Sequence, residues 1–294
     1  MEKKYFSAAR EAGYEEAEFK VERIQHRLSN HATALLSESI EQFLEAIKRG
    51  QIQDAINTLE EALQVNEKSY AVNYNLSLLY FDEYQMDGED AEKLDKAAIY
   101  CARALWYRDS QPVTKDDLIG GFDLMGHIFS IRQEYVNSIR EYRQILEIDR
   151  ENLHAYYNLG VEFYNLRDYI QAESQWKKIL EFESTFKTST ERQDKEKQEL
   201  RHSVTVKKLP IIFLAHQSLG NLYLNQQNWK KAAAELEAAI RLQENAAEPH
   251  LVLAKAYIKL NTDEKAVFHL ERYLFLGGKD EKQARFLLDQ VKRR

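Results

Sequence analysis

The feature that most constrains the fold is a period of 34 residues in which small and bulky residues recur at fixed positions. Counted from Leu153 as position 1, small residues stand at positions 8 and 20 and bulky ones at 4, 7, 11 and 24. In this period they are Gly160 and Ala172, and Tyr156, Leu159, Phe163 and Trp176. Further periods begin at residues 36, 70, 119, 213 and 247. The chain is therefore built from similar units that follow one another.

The spacing within one period predicts two helices that pack closely. Small residues at positions 8 and 20 allow the two backbones to approach, and the bulky residues fill the space beside them. One such hairpin cannot cover its own apolar face, so neighbouring hairpins must stack to bury it. With only 10 Gly and 3 Pro in 294 residues, the sequence has few breaks, which favours long helices. An all-α fold is expected.

The positions filled in residues 153–186 resemble the tetratricopeptide repeat pattern W-x2-L-G-x2-Y followed by A-x3-F. The resemblance runs from about Leu36 to Lys279, apart from two insertions. It implies an all-α, right-handed superhelical solenoid of antiparallel helix hairpins, whose first helices line a concave groove. It also implies a scaffold that binds proteins rather than an enzyme.

The period divides the chain into five parts. Residues 1–35 are predicted to be a helical segment, which is interpreted as a degenerate repeat. Residues 36–183 are predicted to hold four repeats, 184–210 a charged linker or insertion, 211–279 two repeats, and 280–294 a capping helix. The linker is rich in charged and hydroxyl residues, which predicts a segment that is partly helical and partly disordered.

Charge and hydropathy argue against several classes of partner. The net charge is −7 with both signs interspersed, so no basic face is expected to bind nucleic acid. The longest apolar run near a helix, residues 209–215, is far shorter than the ~20 residues of a membrane-spanning helix, so no membrane insertion is expected. The single cysteine, Cys101, excludes an intrachain disulfide framework and fits a reducing compartment. A cytoplasmic location is expected.

No catalytic or cofactor motif is present in the sequence. There is no GxGxxG, GxxxxGK[ST], HExxH or GxSxG sequence, so no catalytic residue, cofactor or metal is predicted. Cys101 stands at a packing position of a second helix, which favours a buried structural thiol. His216 and His250 both stand at position 4, where the family has a packing residue, and are expected to be partly buried and hydrogen-bonded.

The resemblance also implies where a partner would bind. In this family ligand contacts come mainly from positions 2, 5, 6, 9, 12 and 13 of the first helices. Polar and aromatic residues fill many of these positions and can bind the backbone of an extended peptide. The candidate partner-binding residues are Tyr74, Asn75, Phe81, Tyr157, Asn158, Tyr164, Asn165, Gln217, Asn221, Asn225, Lys255 and Lys259.

The carboxylate clamp with which some family members hold acidic chaperone tails is not predicted. It would require Asn, Asn, Lys and Arg where this chain has His127, Asn158, Leu214 and Ser218. Lys255 and Lys259, beside the two asparagines of the preceding repeat, could still bind a carboxylate by charge-assisted hydrogen bonds.

Two hypotheses of function follow from these observations. The first is a noncatalytic scaffold or adaptor that binds a peptide segment or protein partner in the concave groove. The alternative is a regulatory or sensory module whose two blocks of repeats respond to a small ligand or peptide. Self-association is left open, because an open stack has an end face to cover.

Overall fold

The structure is a computed structural model that describes residues 42, 45, 46, 49–87, 90–189 and 195–294, with only the backbone of residues 87 and 183–208. Every regular element in these residues is helical. The helices are α1 Ile52–Val65, α2 Tyr70–Asp87, α3 Ala91–Trp106, α4 Lys115–Ile131, α5 Tyr135–Ile148, α6 Leu153–Asn165, α7 Tyr169–Ser189, α8 Lys195–Asn225, α9 Trp229–Leu242, α10 Ala247–Lys259, α11 Asp263–Phe275 and α12 Glu281–Lys292. A short 3-10 turn, Arg108–Ser110, follows α3.

Consecutive helices pair as hairpins. The closest pairs are α2 with α3, α4 with α5, α6 with α7, α8 with α9, and α10 with α11. In three of the hairpins a glycine at position 8 lies against the bulky residue at position 24. A Cβ on Gly160 would lie 2.2 Å from Trp176 Nε1, and one on Gly126 would lie 2.8 Å from Tyr142. The predicted all-α tetratricopeptide-like fold is confirmed.

The turns inside the hairpins repeat with the same period. Gln133, Arg167, Gln227 and Asn261 all stand at position 15, and their φ angles lie between 54° and 62°. Such left-handed backbone is uncommon for residues other than glycine. It reverses the chain after these four first helices: the amide of the next residue, at position 16, donates to the carbonyl of position 11, and the second helix begins one residue later. The turn geometry is thus the same in these four repeats.

The chain divides into two compact units, Met1–Arg150 and Glu151–Arg294. The division falls between the predicted third and fourth repeats. Helical backbone occupies much of the predicted linker at 184–210, since α7 runs to Ser189 and α8 begins at Lys195 and contains Pro210. Residues 1–35 lie outside the described residues. The predicted division into blocks of four and two repeats stays a prediction.

The last helix, α12, covers the end of the second unit. Its Ala284 is fully buried against Leu251 and Ala254 of α10 and Leu270 and Tyr273 of α11. The Asp280 carboxylate caps α12 by accepting a hydrogen bond from the Gln283 amide over 3.1 Å. The outer face of α12 is polar and charged apart from Phe286, as a terminal helix of a repeat stack requires.

In the part of the chain that the structure describes, no helix is long and apolar enough to cross a membrane.

Candidate functional site

The candidate site is a cleft on the first helices of the second unit. These helices, α6, α8 and α10, lie side by side, with α8 contacting both of the others. The cleft lies open between α6 and α8, and its empty space, including open solvent, is about 640 Å³. It is lined by Val161, Tyr164, Trp176, Ser218, Asn221 and Asn225.

One wall of the cleft is apolar and aromatic. The ring of Tyr164 lies 6.1 Å from that of Trp176 and 5.4 Å from that of Tyr169, measured between centroids. Trp176 is buried, and its indole N–H donates a hydrogen bond to the backbone carbonyl of Tyr157 over 3.1 Å. Because this bond and the close contact with Gly160 hold the indole in place, the wall is a rigid surface on which an apolar side chain can pack.

The opposite wall is polar and comes from one helix. Ser218, Asn221 and Asn225 lie on one face of α8, three and four residues apart. The Asn225 side-chain amide donates a hydrogen bond to the Tyr164 hydroxyl oxygen over 2.5 Å and so joins the two walls at one end of the cleft. Asparagine both donates and accepts, as a peptide backbone does, so this wall can pair with an extended chain.

The structure brings together three of the predicted binding residues, Tyr164, Asn221 and Asn225. The other candidates of the second unit lie on the same three first helices but outside the lining of this cleft. Of these, Asn165 and Lys259 are exposed and the rest are half-buried, namely Tyr157, Asn158, Gln217 and Lys255.

The candidates of the first unit are placed differently from the expectation. Tyr74, Asn75 and Phe81 retain only 3%, 2% and 8% of their accessible surface. The ring of Tyr74 stacks on Tyr70, and the Asn75 side-chain amide donates to the Ala71 carbonyl of its own helix over 2.7 Å. These side chains are not accessible to a partner, so they are not part of the candidate site.

Three lining residues were absent from the predicted set. Val161 stands at position 9 of the fourth repeat and Ser218 at position 6 of the fifth, which are groove positions in the family pattern, but neither was included among the candidates. Trp176 stands at position 24 of a second helix and was predicted to be a packing residue. Trp176 is indeed buried as a packing residue, and it also lines the cleft.

The carboxylate of Glu173 in α7 is hydrogen-bonded to Tyr223 of α8 and so connects the two helices. Glu173 Oε1 accepts hydrogen bonds from Tyr223 Oη at 2.8 Å and from Lys177 Nζ at 2.6 Å. Burial alone would raise the pKa of Glu173, but these two hydrogen bonds together lower it below its usual value. Burial, together with the hydrogen bond to Glu173, raises the pKa of Tyr223. The tyrosine is therefore a neutral donor and the glutamate a charged acceptor.

The histidines at position 4 are buried, and each has a hydrogen-bonding partner. His216 is buried, with Nδ1 at 2.6 Å from Glu235 Oε2, and His250 is buried with Nδ1 at 2.8 Å from His269 Nδ1. Both partners stand at position 23 of their repeats. Burial, followed by the neighbouring His250, lowers the pKa of His269 to about 4, so this pair is held without positive charge at neutral pH. Among the described residues no group of three His, Cys, Asp or Glu side chains could hold a metal ion.

Cys101 is fully buried in the first unit. Its Sγ lies 3.3 Å from the carbonyl oxygen of Gly121, to which the thiol donates. Burial raises the pKa of the thiol to about 12. At neutral pH the sulfur is a protonated packing group, whereas a nucleophile needs an accessible thiolate.

Comparison with known proteins gives a family and a fold. A family model described as tetratricopeptide repeat matches residues 40–112 and 218–281. Comparison with curated protein sequences finds no match.

Many solved structures share the fold. Part of a tetratricopeptide repeat-containing protein from Cytophaga hutchinsonii is 16% identical, with a TM-score of 0.58 over 84% of this chain and 82% of its own. PilW, a type IV pilus biogenesis factor, is 14% identical with a TM-score of 0.57, over 88% and 99% of the two chains. YrrB, a tetratricopeptide repeat protein with an unusual peptide-binding site, is 14% identical with a TM-score of 0.51, over 80% and 98%.

These identities are too low to transfer a function, and they establish the fold alone. The sequence repeat, the hairpins with a small residue facing a bulky one, and the two regions matched by the family model agree with one another. The chain carries tetratricopeptide repeats, which the family model matches over residues 40–112 and 218–281.

Proposed function

We propose that this protein is a noncatalytic scaffold or adaptor that binds an extended segment of a partner protein in the cleft between α6 and α8. The tetratricopeptide fold is in general that of a protein-interaction scaffold. The observation that carries the finer proposal is the pairing of an aromatic wall, Tyr164 and Trp176, with an amide wall, Asn221 and Asn225.

The two walls match the chemistry of an extended peptide. Side chains of an extended chain alternate in direction, so one apolar side chain can pack on Tyr164 while the neighbouring backbone faces Asn221 and Asn225. Tyrosine and tryptophan provide contact area with little loss of conformational entropy. The open form of the cleft suits a chain that enters at one end and leaves at the other. YrrB, which shares the fold, is described as having a peptide-binding site, and this also supports the proposal.

Binding of a peptide selected from a random library tests this function. The full chain is used to select from a nonapeptide library displayed on phage, and the most enriched peptide is synthesised with a fluorescent label. Fluorescence anisotropy then gives its Kd for the wild type, for Tyr164→Ala with Asn225→Ala, and for the control Gln290→Ala, an exposed position of α12. We expect the double variant to bind at least about tenfold more weakly, since both walls lose their contact.

Two results would contradict the proposed function. If no peptide is enriched, or if the double variant binds the selected peptide as the wild type does, the cleft is not the binding site. Circular dichroism of each variant establishes that a loss of binding is not a loss of folding.

We also propose a cytoplasmic location, which is supported by the single buried thiol of Cys101. Microscopy of the tagged full-length protein in its own cell tests it, and a signal outside the cytoplasm would contradict it.

A further inference from the structure

We infer that the bound segment carries a carboxylate, which Lys255 and Lys259 of α10 hold next to the cleft. This inference rests on the proposed function and adds the chemical class of the partner. Lys255 and Lys259 stand at positions 9 and 13 of the sixth repeat, the positions that Asn221 and Asn225 have in the fifth. Since α10 packs beside α8, the two lysines continue the polar wall of the cleft.

Neither lysine has a counter-charge among the residues that the structure describes. Several other lysines of the second unit contact neighbours in this chain: Lys177 pairs with Glu173 at 2.6 Å, and Lys231 and Lys265 lie over tyrosine rings at 5.2 and 5.1 Å. Lys255 and Lys259 have no ion pair or ring contact of this kind. Like charges four residues apart on a helix repel each other by a few tenths of a kcal/mol. An anion bound between them would remove this repulsion.

Lys255 and Lys259 are the main charged residues at the groove positions of α6, α8 and α10. Positions 2, 5, 6, 9, 12 and 13 of α6 and α8 carry no Asp, Glu, Lys or Arg. The only acidic residue at those positions of α10 is Glu248, seven residues and about 10 Å along the helix from Lys255. In a chain with a net charge of −7, the first helices of the second unit therefore have a net charge of +1 at these positions, from two lysines and one glutamate. A negatively charged ligand complements this surface, and its attraction would also speed association.

The spacing of the helices fixes where the carboxylate stands in the peptide. Packed helices lie about 8–10 Å apart, and an extended chain advances ~3.3 Å per residue. A residue packed on Tyr164, between α6 and α8, is therefore separated by about three to four residues from one that reaches Lys255 and Lys259. The expected ligand has a large apolar residue and a carboxylate at this separation.

A carboxylate can come from an Asp or Glu side chain or from the end of a peptide. Two ammonium groups four residues apart can each donate a charge-assisted hydrogen bond to one carboxylate in either case. The library displays its peptides from an internal position of the coat protein and offers no free carboxyl terminus. Enrichment of Asp or Glu three to four residues from an apolar residue therefore identifies the side-chain source. A second set of synthetic peptides, ending either in a free carboxylate or in an amide, identifies the terminal source.

The experiment compares charge variants of the protein and of the selected peptide. Kd is measured by fluorescence anisotropy for Lys255→Gln with Lys259→Gln, and for the control Lys279→Gln with Lys282→Gln, which removes two exposed charges outside the first helices. Each protein is titrated with the acidic peptide and with its Glu→Gln or amidated form, at 50 and 200 mM NaCl. We expect about tenfold weaker binding of the acidic peptide to the Lys255/Lys259 variant, and no further loss when the peptide is also neutral.

The results separate this inference from the proposed function. If Tyr164→Ala with Asn225→Ala abolishes binding but Lys255→Gln with Lys259→Gln leaves it unchanged, the peptide site stands and the acidic partner is wrong. Selected peptides without acidic residues, together with equal affinity for free and amidated ends, also overturn the inference. If no peptide binds at all, both proposals fail.

Discussion

Tyr223 donates its hydroxyl to Glu173 over 2.8 Å and so joins the first helix of one repeat to the second helix of the repeat before it. The same contact recurs at position 11 of two other repeats, where Tyr80 donates to Glu60 and Tyr257 to Glu237. In each case a lysine ammonium lies over the tyrosine ring at 5.1 to 5.3 Å. Position 11 therefore carries a hydrogen bond between repeats as well as apolar packing.

Removal of the Tyr223 hydroxyl should weaken the interface between α7 and α8. Tyr223→Phe keeps the ring but leaves Glu173 with Lys177 as its remaining partner, so we expect a loss of about 1 kcal/mol in the free energy of unfolding. Urea unfolding followed by circular dichroism measures it. Tyr169→Phe is the control, because the Tyr169 hydroxyl makes no hydrogen bond among the described residues. Equal stability of the two variants would show that the bond between repeats contributes nothing.

Gly160 is predicted to be intolerant of any side chain. A Cβ there would lie 2.2 Å from Trp176 Nε1, so Gly160→Ala must displace the indole or separate α6 from α7. Overpacking of this kind costs roughly 1–3 kcal/mol. Thermal unfolding of Gly160→Ala, compared with Ser174→Ala at an exposed position of α7, tests it. A melting temperature equal to that of the control would mean that α6 and α7 leave enough space for the added methyl group.

The stability of the chain should fall as the solution is acidified below pH 6.5, and His269 should account for part of the fall. A hydrogen bond between Nδ1 of His250 and Nδ1 of His269 needs one protonated and one bare nitrogen, so a second proton there breaks it. The pKa of His269 is lowered to about 4, first by burial and then by His250 and Lys265, against Glu237. Between pH 6.5 and 4 the unfolded chain therefore binds a proton that the folded chain does not, and the free energy of unfolding decreases as pH falls.

Urea unfolding from pH 4.5 to 7.5 measures this dependence. We expect the free energy of unfolding of the wild type to fall more steeply than that of His269→Gln, by on the order of 1 kcal/mol per pH unit in the lower part of the range. His154→Gln, an exposed histidine of α6, should retain the slope of the wild type. Parallel curves for the wild type and His269→Gln would exclude the pair as a source of pH dependence.

The cap of α12 should control local opening at the end of the second unit. Asp280→Ala removes the acceptor for the Gln283 amide, which costs about 1 kcal/mol. Faster hydrogen exchange is expected in the amides of α12, with little change in α6 or α8, because the helix can open by itself. Gln290→Ala, at an exposed position in the last turn of the same helix, should leave exchange unchanged. Uniform acceleration throughout the unit would indicate that α12 opens only with its neighbours.

Much of the fold could be predicted from the sequence, because the residues that recur in each repeat contact one another within a single hairpin. Gly126, Gly160 and Gly220 each lie against the bulky residue sixteen positions later, and this contact depends only on two adjacent helices. Position 15 turns the chain in the same way in four repeats. Such contacts join residues close in sequence, so their spacing alone predicts them.

The candidate site was only partly predictable, and the first unit shows why. Tyr74, Asn75 and Phe81 stand at the same repeat positions as residues of the second unit, yet they are buried. A position within a helix decides which way a side chain points, whereas its exposure also depends on what lies over that face. What covers a helix face depends on residues that are distant in the sequence, so the periodicity of the repeat does not predict whether a side chain is exposed.

The sequence by itself determined the helices and their pairing, because small and bulky residues at fixed spacings favour one way to pack a hairpin. Tertiary structure alone decided which of those residues form a cleft. Tyr164 and Asn225 are 61 residues apart and meet only because α6 and α8 lie side by side, and Trp176 reaches the cleft from a second helix. A binding surface depends on such contacts between distant residues. It is therefore determined by how the repeats stack, and not by the residue pattern within a single repeat.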